Sequence, residues 1–316
     1  MFIMNVTSKD VSAVQGNDWE RIDGRTRLIG LIATPIGHSK SPALHNMAFR
    51  HLGLNYVYLA FDVGKAQLED VVRGFRALNL RGFNVSMPNK TQIISYLDDL
   101  DESAKFARAV NTVVNENGKF IGYNTDGIGF LRSLYENKID ICGKKMVLLG
   151  AGGAGTAIAM QSALDGVAKL TIFNRKDEFY ERALENAEII NVQMKNVQCD
   201  VSVYDVADLE RLRTELKDAD ILVNTSGVGM HPLDDMCLIP DPSYLHPELV
   251  VADIVYSPLY TKLLKMGQLV GCKTINGLGM MLWQGAEAFK LWTGKEMPVD
   301  LIKKNLFSSE LKNISN

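Results

Sequence analysis

Cysteine and histidine are scarce: the 316-residue chain has four of the first and five of the second. Cys142, Cys199, Cys237 and Cys272 form no Cys-x-x-Cys pair and have no histidine at zinc-ligand spacing, so they read as reduced, mostly structural thiols. The histidines make neither a His-x-x-x-His nor a His-Glu-x-x-His pattern. A metal-dependent mechanism would have carboxylates alone to draw on, and no metal is expected. Excess charge is missing too. Lys and Arg number 34 against 37 Asp and Glu, for a net −3, without the clustered positive charge that a nucleic-acid backbone requires. No apolar run approaches the roughly 18 residues of a membrane span, and Met1 to Met4 lack the basic flank and apolar core of a secretion signal. The expectation is a cytoplasmic protein with no nucleic-acid and no membrane partner.

What is present is an ordinary globular composition, 47% hydrophobic, in a length that suits about two domains of roughly 150 residues. Residues 1–27 show no sustained period of 2 or 3.6 and read as a flexible extension or loosely docked arm. From Leu28 the pattern sharpens. Leu28 to Ala33 is an apolar strand; Ser41, as N-cap, and Pro42 open a helix through Leu44, Met47, Ala48 and Leu52, closed by Gly53. Val57, Leu59, Phe61 and Val63 alternate as a strand, Leu68 to Leu78 return to helical spacing, and Gly82 to Ser86 form a third strand. A helix is expected after Pro88, a hairpin at Asn117-Gly118, and a helix capped by Asp126 through Ile128 and Leu131.

Beyond Asp126, apolar runs at Met146 to Leu149, Leu170 to Phe173, Val201 to Tyr204, Ile221 to Val223, Leu249 to Ile254 and Lys273 to Ile275 alternate with helical connections, as a parallel sheet requires. The helical stretches Gly277 to Trp292 and Val299 to Phe307 are surplus to that sheet. They are expected to pack back on the first domain and leave a cleft between two units. The predicted fold class is α/β: an N-terminal β-α-β substrate domain, residues 28–126 with 277–316 returning to it, plus a Rossmann-type doubly wound dinucleotide-binding domain, residues 127–276.

The second domain carries the cofactor signal. Gly150-Ala151-Gly152-Gly153-Ala154-Gly155 follows a strand and opens a helix, the context that gives Gly-x-Gly-x-x-Gly its meaning. Glycine lets the backbone approach a pyrophosphate, and the free N–H groups of the helix start attract its charge. After the next strand come Asn174, Arg175, Lys176 and Asp177, the last lying 27 residues beyond Gly150. A carboxylate there accepts bonds from a ribose 2′-hydroxyl and repels a 2′-phosphate, with Arg175 and Lys176 partly offsetting the repulsion. NAD is therefore favoured, with NADP admitted. Asp177 is equally suited to beginning the helix at Glu178.

Three polar clusters interrupt the first domain: His38 to Pro42, Asn84 to Lys90, and Asn111-Thr112 with Asn124 to Gly127. Together they suit a polyhydroxylated ligand. With Pro35 to Pro42, Ala109 to Thr112, Gly122 to Gly127 and Gly277 to Gln284, they resemble the shikimate dehydrogenase family from Leu28 to about Phe307. Ser86 to Lys90, Phe173-Asn174-Arg175 with Asp177, and Leu282 to Gly285 are most like its quinate/shikimate dehydrogenase branch; Gly227 stands where that branch has a lysine.

The resemblance implies that Ser39 and Ser41 bind a substrate carboxylate and that Ser86, Asn111, Asp126 and Gln284 bind ring hydroxyls, with Tyr58 and Tyr256 lining the pocket. It makes Lys90 and Asp126 the catalytic pair and places Asn224-Thr225-Ser226, Ile254 and Gly277 near the nicotinamide. Trp283 and Met281 are read as core packing. A positioned Lys or Asp can take the hydroxyl proton as hydride leaves; an ordinary lysine, with pKa about 10.4, is too protonated to be an efficient base, so the two roles stay undivided. The implied activity is reversible NAD(P)-dependent oxidation of shikimate to 3-dehydroshikimate, with quinate a second substrate. A folate-linked Rossmann dehydrogenase and a non-enzymatic dinucleotide or metabolite sensor are the alternatives, and self-association into a homodimer is left open.

Overall fold

The computed structural model describes residues 22–37, 39–194 and 196–307. Most of the expected N-terminal extension, His38 and the end of the 277–316 segment fall outside these residues. The first sheet is built from β1 (Arg27–Ala33), β2 (Tyr56–Asp62), β3 (Gly82–Val85), β4 (Asp99–Leu100), β5 (Thr112–Glu116) and β6 (Lys119–Tyr123), in the order β2-β1-β3-β5-β6-β4. β1 is parallel to β2 and β3; β5 is antiparallel to β3 and β6. Helices α1 (Ser41–His51), α2 (Leu68–Ala77) and α3 (Glu102–Ala107) connect these strands. Leu68, Val72 and Phe75 give α2 its buried face at helical spacing. The hairpin β5-β6 turns on Asn117 and Gly118, both at positive φ (55° and 90°), as a type I′ turn demands.

The second sheet is wholly parallel. It contains β7 (Lys145–Leu149), β8 (Lys169–Asn174), β9 (Asp200–Asp205), β10 (Ile221–Asn224), β11 (Val250–Asp253) and β12 (Lys273–Ile275), in the order β12-β11-β10-β7-β8-β9. That is the doubly wound dinucleotide-binding order, with its switch point between β7 and β10. α5 (Gly153–Leu164), α6 (Glu178–Glu188), α7 (Leu209–Leu216) and α8 (Lys262–Val270) are the connecting helices.

Two long-range returns join the units. α4 (Asp126–Glu136) leaves the first sheet and packs on α9 (Leu278–Thr293), which follows the last strand. A Cβ on Gly129 would stand 2.5 Å from the Gln284 backbone N, so glycine is what lets these helices approach. Leu282, Ala286, Phe289 and Trp292 of α9, with Ile302 of α10 (Val299–Leu306), share one buried cluster with Ile29, Leu44, Phe49 and Tyr58.

Three local expectations need correction. Ser41 does not cap α1; it is the first helical residue, and the Ser39 Oγ accepts from its N–H at 3.3 Å. Pro88 starts no α-helix. The chain turns and then makes a 3-10 segment, Gln92–Tyr96, with the Ile93 N–H donating to the Asn89 carbonyl (3.0 Å). Asp126 does not cap α4 either: Asn124 Oδ1 accepts from the Asp126 N–H at 3.0 Å, which leaves the Asp126 carboxylate for other partners.

Candidate active site

The polar clusters of the first domain converge at the ends of β3, β5 and β6. Lys90, on the turn after β3, donates to Asp126 Oδ2 at 2.5 Å; their side chains are 20% and 6% exposed, a pair sheltered from water yet open on the lysine side. Asn111 Nδ2 donates to the other oxygen of Asp126 (2.8 Å) and to Thr125 Oγ1 (2.9 Å). Asn111 Oδ1 accepts from the Thr125 N–H and the Thr112 hydroxyl, both at 2.9 Å. Ser86 lies at the end of β3, its N–H donating to the Ile32 carbonyl.

Tyr58 does not line a pocket, contrary to expectation. It is wholly buried, stacked on His45 at 4.5 Å, and its hydroxyl donates to Asn84 Oδ1 at 2.7 Å. Burial pushes that hydroxyl up from its usual range, and its side-chain hydrogen bond with Ser41 opposes this. Tyr58 therefore stays protonated and acts as a support beneath Ser41. Gln284 is tied to the same floor through its backbone: its carbonyl accepts from Thr125 Oγ1 (3.0 Å), while its amide donates to the Met281 carbonyl (2.9 Å). Tyr256, half-buried after β11, packs against the cluster holding Leu44 and Leu282, and burial raises its hydroxyl too. Trp283 packs half-buried against the same apolar cluster, while its indole N–H donates to Glu136 Oε2 (3.1 Å) and the Arg132 guanidinium lies 5.4 Å from its ring centre. Met281 is half-buried against the apolar cluster.

In the second unit the glycine loop follows β7 and opens α5. Gly150 sits at φ 118°, its N–H donating to the Phe173 carbonyl, and the Ala151 N–H donates to Asn174 Oδ1 (3.0 Å). A Cβ on Gly155 would stand 2.4 Å from the Gly150 carbonyl oxygen, whereas one on Gly152 would meet nothing within 4 Å. The loop is thus closed against its own helix and open outward. There the first turn of α5, from Gly153 and Ala154 onward, presents N–H groups without intrahelical partners, a seat that fits a pyrophosphate. Gly153 also brings the two sites together, its Cβ position lying 3.4 Å from the Ala109 side chain.

Asp177 is the N-cap of α6, accepting from the Phe179 N–H (3.0 Å), from Asn174 Nδ2 (2.9 Å) and from Arg175 Nε (2.6 Å). Burial raises its carboxyl; the bonds from Arg175, Phe179 and Asn174 together outweigh that and hold it below the ordinary range. A second carboxylate stands nearby: Asp205, in register with Asn174 on the neighbouring strand, lies 3.9 Å from Lys176 Nζ.

At the far side of the switch point Thr225 Oγ1 donates to the Gly150 carbonyl (2.7 Å), and the Ile254 N–H donates to the Asn224 carbonyl (3.1 Å). A Cβ on Gly277 would stand 2.2 Å from the Ile254 carbonyl oxygen, so Gly277 allows that strand end and the start of α9 to meet. Sequence reading missed the residue beneath them, Asp253. It accepts from Asn224 Nδ2 (2.9 Å), the Val255 N–H (2.9 Å) and Thr261 Oγ1 (2.7 Å), and burial pushes its carboxyl up to about 6. A carboxylate following three apolar residues at a strand end was the available signal.

Comparison with known proteins gives a family to this geometry. Residues 31–113 match the shikimate dehydrogenase substrate binding domain, and residues 277–307 match the shikimate 5'-dehydrogenase C-terminal domain. A shikimate dehydrogenase (NADP(+)) of Listeria monocytogenes is 57% identical over 288 residues, covering 91% of this chain and 98% of the relative. A crystal structure of shikimate 5-dehydrogenase from Listeria monocytogenes, in complex with shikimate and NAD, superposes with a TM-score of 0.85 at 57% identity, over 91% of this chain and 98% of that one. A quinate dehydrogenase from Corynebacterium glutamicum, in complex with NAD, superposes with a TM-score of 0.78 at 31% identity, over 90% and 99%.

Proposed function

The chain belongs to the shikimate dehydrogenase family of oxidoreductases, and from that membership we propose that it oxidises the 3-hydroxyl of shikimate reversibly to 3-dehydroshikimate, with quinate as a second substrate. The observation that carries the reading is the Lys90–Asp126 pair, held by Asn111, with Gly153 of the glycine loop packed beside Ala109 two residues before that asparagine. In this reading residues 28–126, with the helices from 277 onward, bind substrate, and residues 127–276 bind the dinucleotide.

Ser39 and Ser41, at the start of α1, receive the substrate carboxylate. Hydroxyl donors and the positive end of a helix satisfy a carboxylate without an arginine. Ser86, Asn111 and Gln284 orient the ring hydroxyls, and Tyr256 closes the apolar side. When bound, the nicotinamide supplies the hydride acceptor. The Lys90–Asp126 pair takes the proton from the reacting hydroxyl, while the lysine charge stabilises the oxygen as negative charge develops. Both steps need the pair dry and fixed, which its low exposure and its bond from Asn111 support.

For the cofactor we favour NAD over NADP. Asp177 and Asp205 put two carboxylates beside Arg175 and Lys176, which supports a ribose 2′-hydroxyl at this place over a phosphate. The relative named above carries NADP in its name, while the Listeria monocytogenes crystal structure contains NAD. Assays of the purified protein with shikimate and quinate, each against NAD and NADP, test the reading. Reduction with neither acid would remove it.

A further inference from the structure

Thr112 is fully buried at the start of β5, directly opposite Asn84 of β3 in the antiparallel register. Its oxygen accepts from Asn84 Nδ2 at 3.0 Å, an amide that here can only donate, so its single proton goes to Asn111 Oδ1 at 2.9 Å. The Thr125 N–H donates to that same Asn111 oxygen. Neither donor can reverse its role, and a carboxylate only accepts. The Asn111 amide is therefore held with its oxygen toward Thr112 and Thr125 and its nitrogen toward Asp126. The two donors differ in what they are attached to. Thr125 is the neighbour of Asp126 and moves with the start of α4, whereas Thr112 belongs to the sheet.

We propose that Thr112 is a positioning residue for the reaction: acting through Asn111, it ties the Asp126 carboxylate to the sheet and so fixes it against Lys90. The tie continues through Asn84 to Tyr58. One buried chain of hydrogen bonds thereby anchors the groups that handle the reacting hydroxyl to the strands of the first sheet. A site built this way keeps substrate binding when one link is cut but loses the alignment that the transition state needs.

The inference rests on the assignment of Lys90 and Asp126 to the chemistry. Its test is steady-state kinetics on Thr112→Val, which keeps the volume and removes the hydroxyl, and on Thr112→Ser, which restores it. Thr112→Val is expected to lower kcat about 10-fold with KM for shikimate within about 2-fold, and Thr112→Ser to lie within about 2-fold of the parent. In an Asn111→Ala background the Val substitution should cost nothing further, because its effect runs through Asn111. If Thr112→Val does not fold, Thr112→Ala takes its place in the same comparison. Parental kcat in the Val variant, equal losses in the Val and Ser variants, or an undiminished loss in the Asn111→Ala background would each overturn the inference. A fully active Asp126→Asn enzyme would instead remove the assignment of the pair; an impaired one beside an unaffected Thr112→Val enzyme removes the role of Thr112 alone.

Discussion

Arg175 Nε donates to Asp177 Oδ2 across 2.6 Å, so the cation and the carboxylate that flank the proposed ribose seat are bound to each other. The guanidinium is 80% exposed, and such a pair adds little to stability. Its consequence is for selectivity: the cation best placed to meet a 2′-phosphate is already engaged by a carboxylate.

Asp177→Ala releases Arg175 and removes a repelling charge, and should shift the ratio of kcat/KM for NAD over NADP toward NADP by about 10-fold or more. Asp205→Asn, beside Lys176, should move the ratio the same way by less, about 2- to 5-fold, because its ion pair is longer. The ratio is to be measured for all three proteins at one salt concentration and pH. An unchanged ratio in Asp177→Ala would place that residue outside the ribose site.

His45 contributes to the loss of stability in acid. It is buried against Tyr58, Phe289 and Trp292, its Nδ1 has no hydrogen-bond partner, and burial pushes its pKa down to about 3. The folded pKa lies below the unfolded value of about 6.5, so the unfolded chain binds the extra proton. This contribution is fully present above about pH 6.5 and is lost as pH falls toward 3. Relative to His45→Phe, the parent should lose about 3 kcal/mol between pH 7 and pH 4. Denaturant unfolding of both proteins across that range measures it; parallel profiles would contradict the assignment.

Gly129→Ala forces a methyl group into the Gln284 backbone, where neither helix has a flexible side chain to give way. The cost should be about 1–3 kcal/mol, seen as a Tm lower by about 3 °C or more, with KM for shikimate raised because Thr125 and Gln284 meet at the same crossing. A variant with the parental Tm and KM would show that α4 and α9 are free to separate.

The strands of both sheets other than the two-residue β4, the Asn117-Gly118 turn and the glycine loop were legible because each leaves a local pattern: alternation, a dipeptide at positive φ, or a spacing. The candidate site was legible as clusters but not as a network. Ser41 misses the cap position by one residue, because α1 begins on it with Lys40 as the N-cap, and the hydroxyl that reaches its N–H belongs to Ser39, another serine of the same motif. Tyr58 was placed at the pocket wall by the resemblance alone; its burial depends on His45 and on Trp292, more than 200 residues away. The link from Thr112 to Asp126 requires the register of β5 with β6, and its polarity that of β3 with β5, which sets Asn84 against Thr112; no short-range pattern carries either. Asp177 carried two readings; its capping of α6 is observed, and its contact with a ribose remains a proposal.

The most direct test of the account is turnover of shikimate by the purified parent and by Lys90→Ala, with binding of the dinucleotide measured separately on both. The parent should show shikimate-dependent reduction of the nicotinamide, and the folded variant should lose turnover by about 100-fold or more while retaining dinucleotide affinity, because in the proposed reading Lys90 acts on the reacting oxygen while the glycine loop binds the dinucleotide. Near-parental turnover in Lys90→Ala would contradict the account.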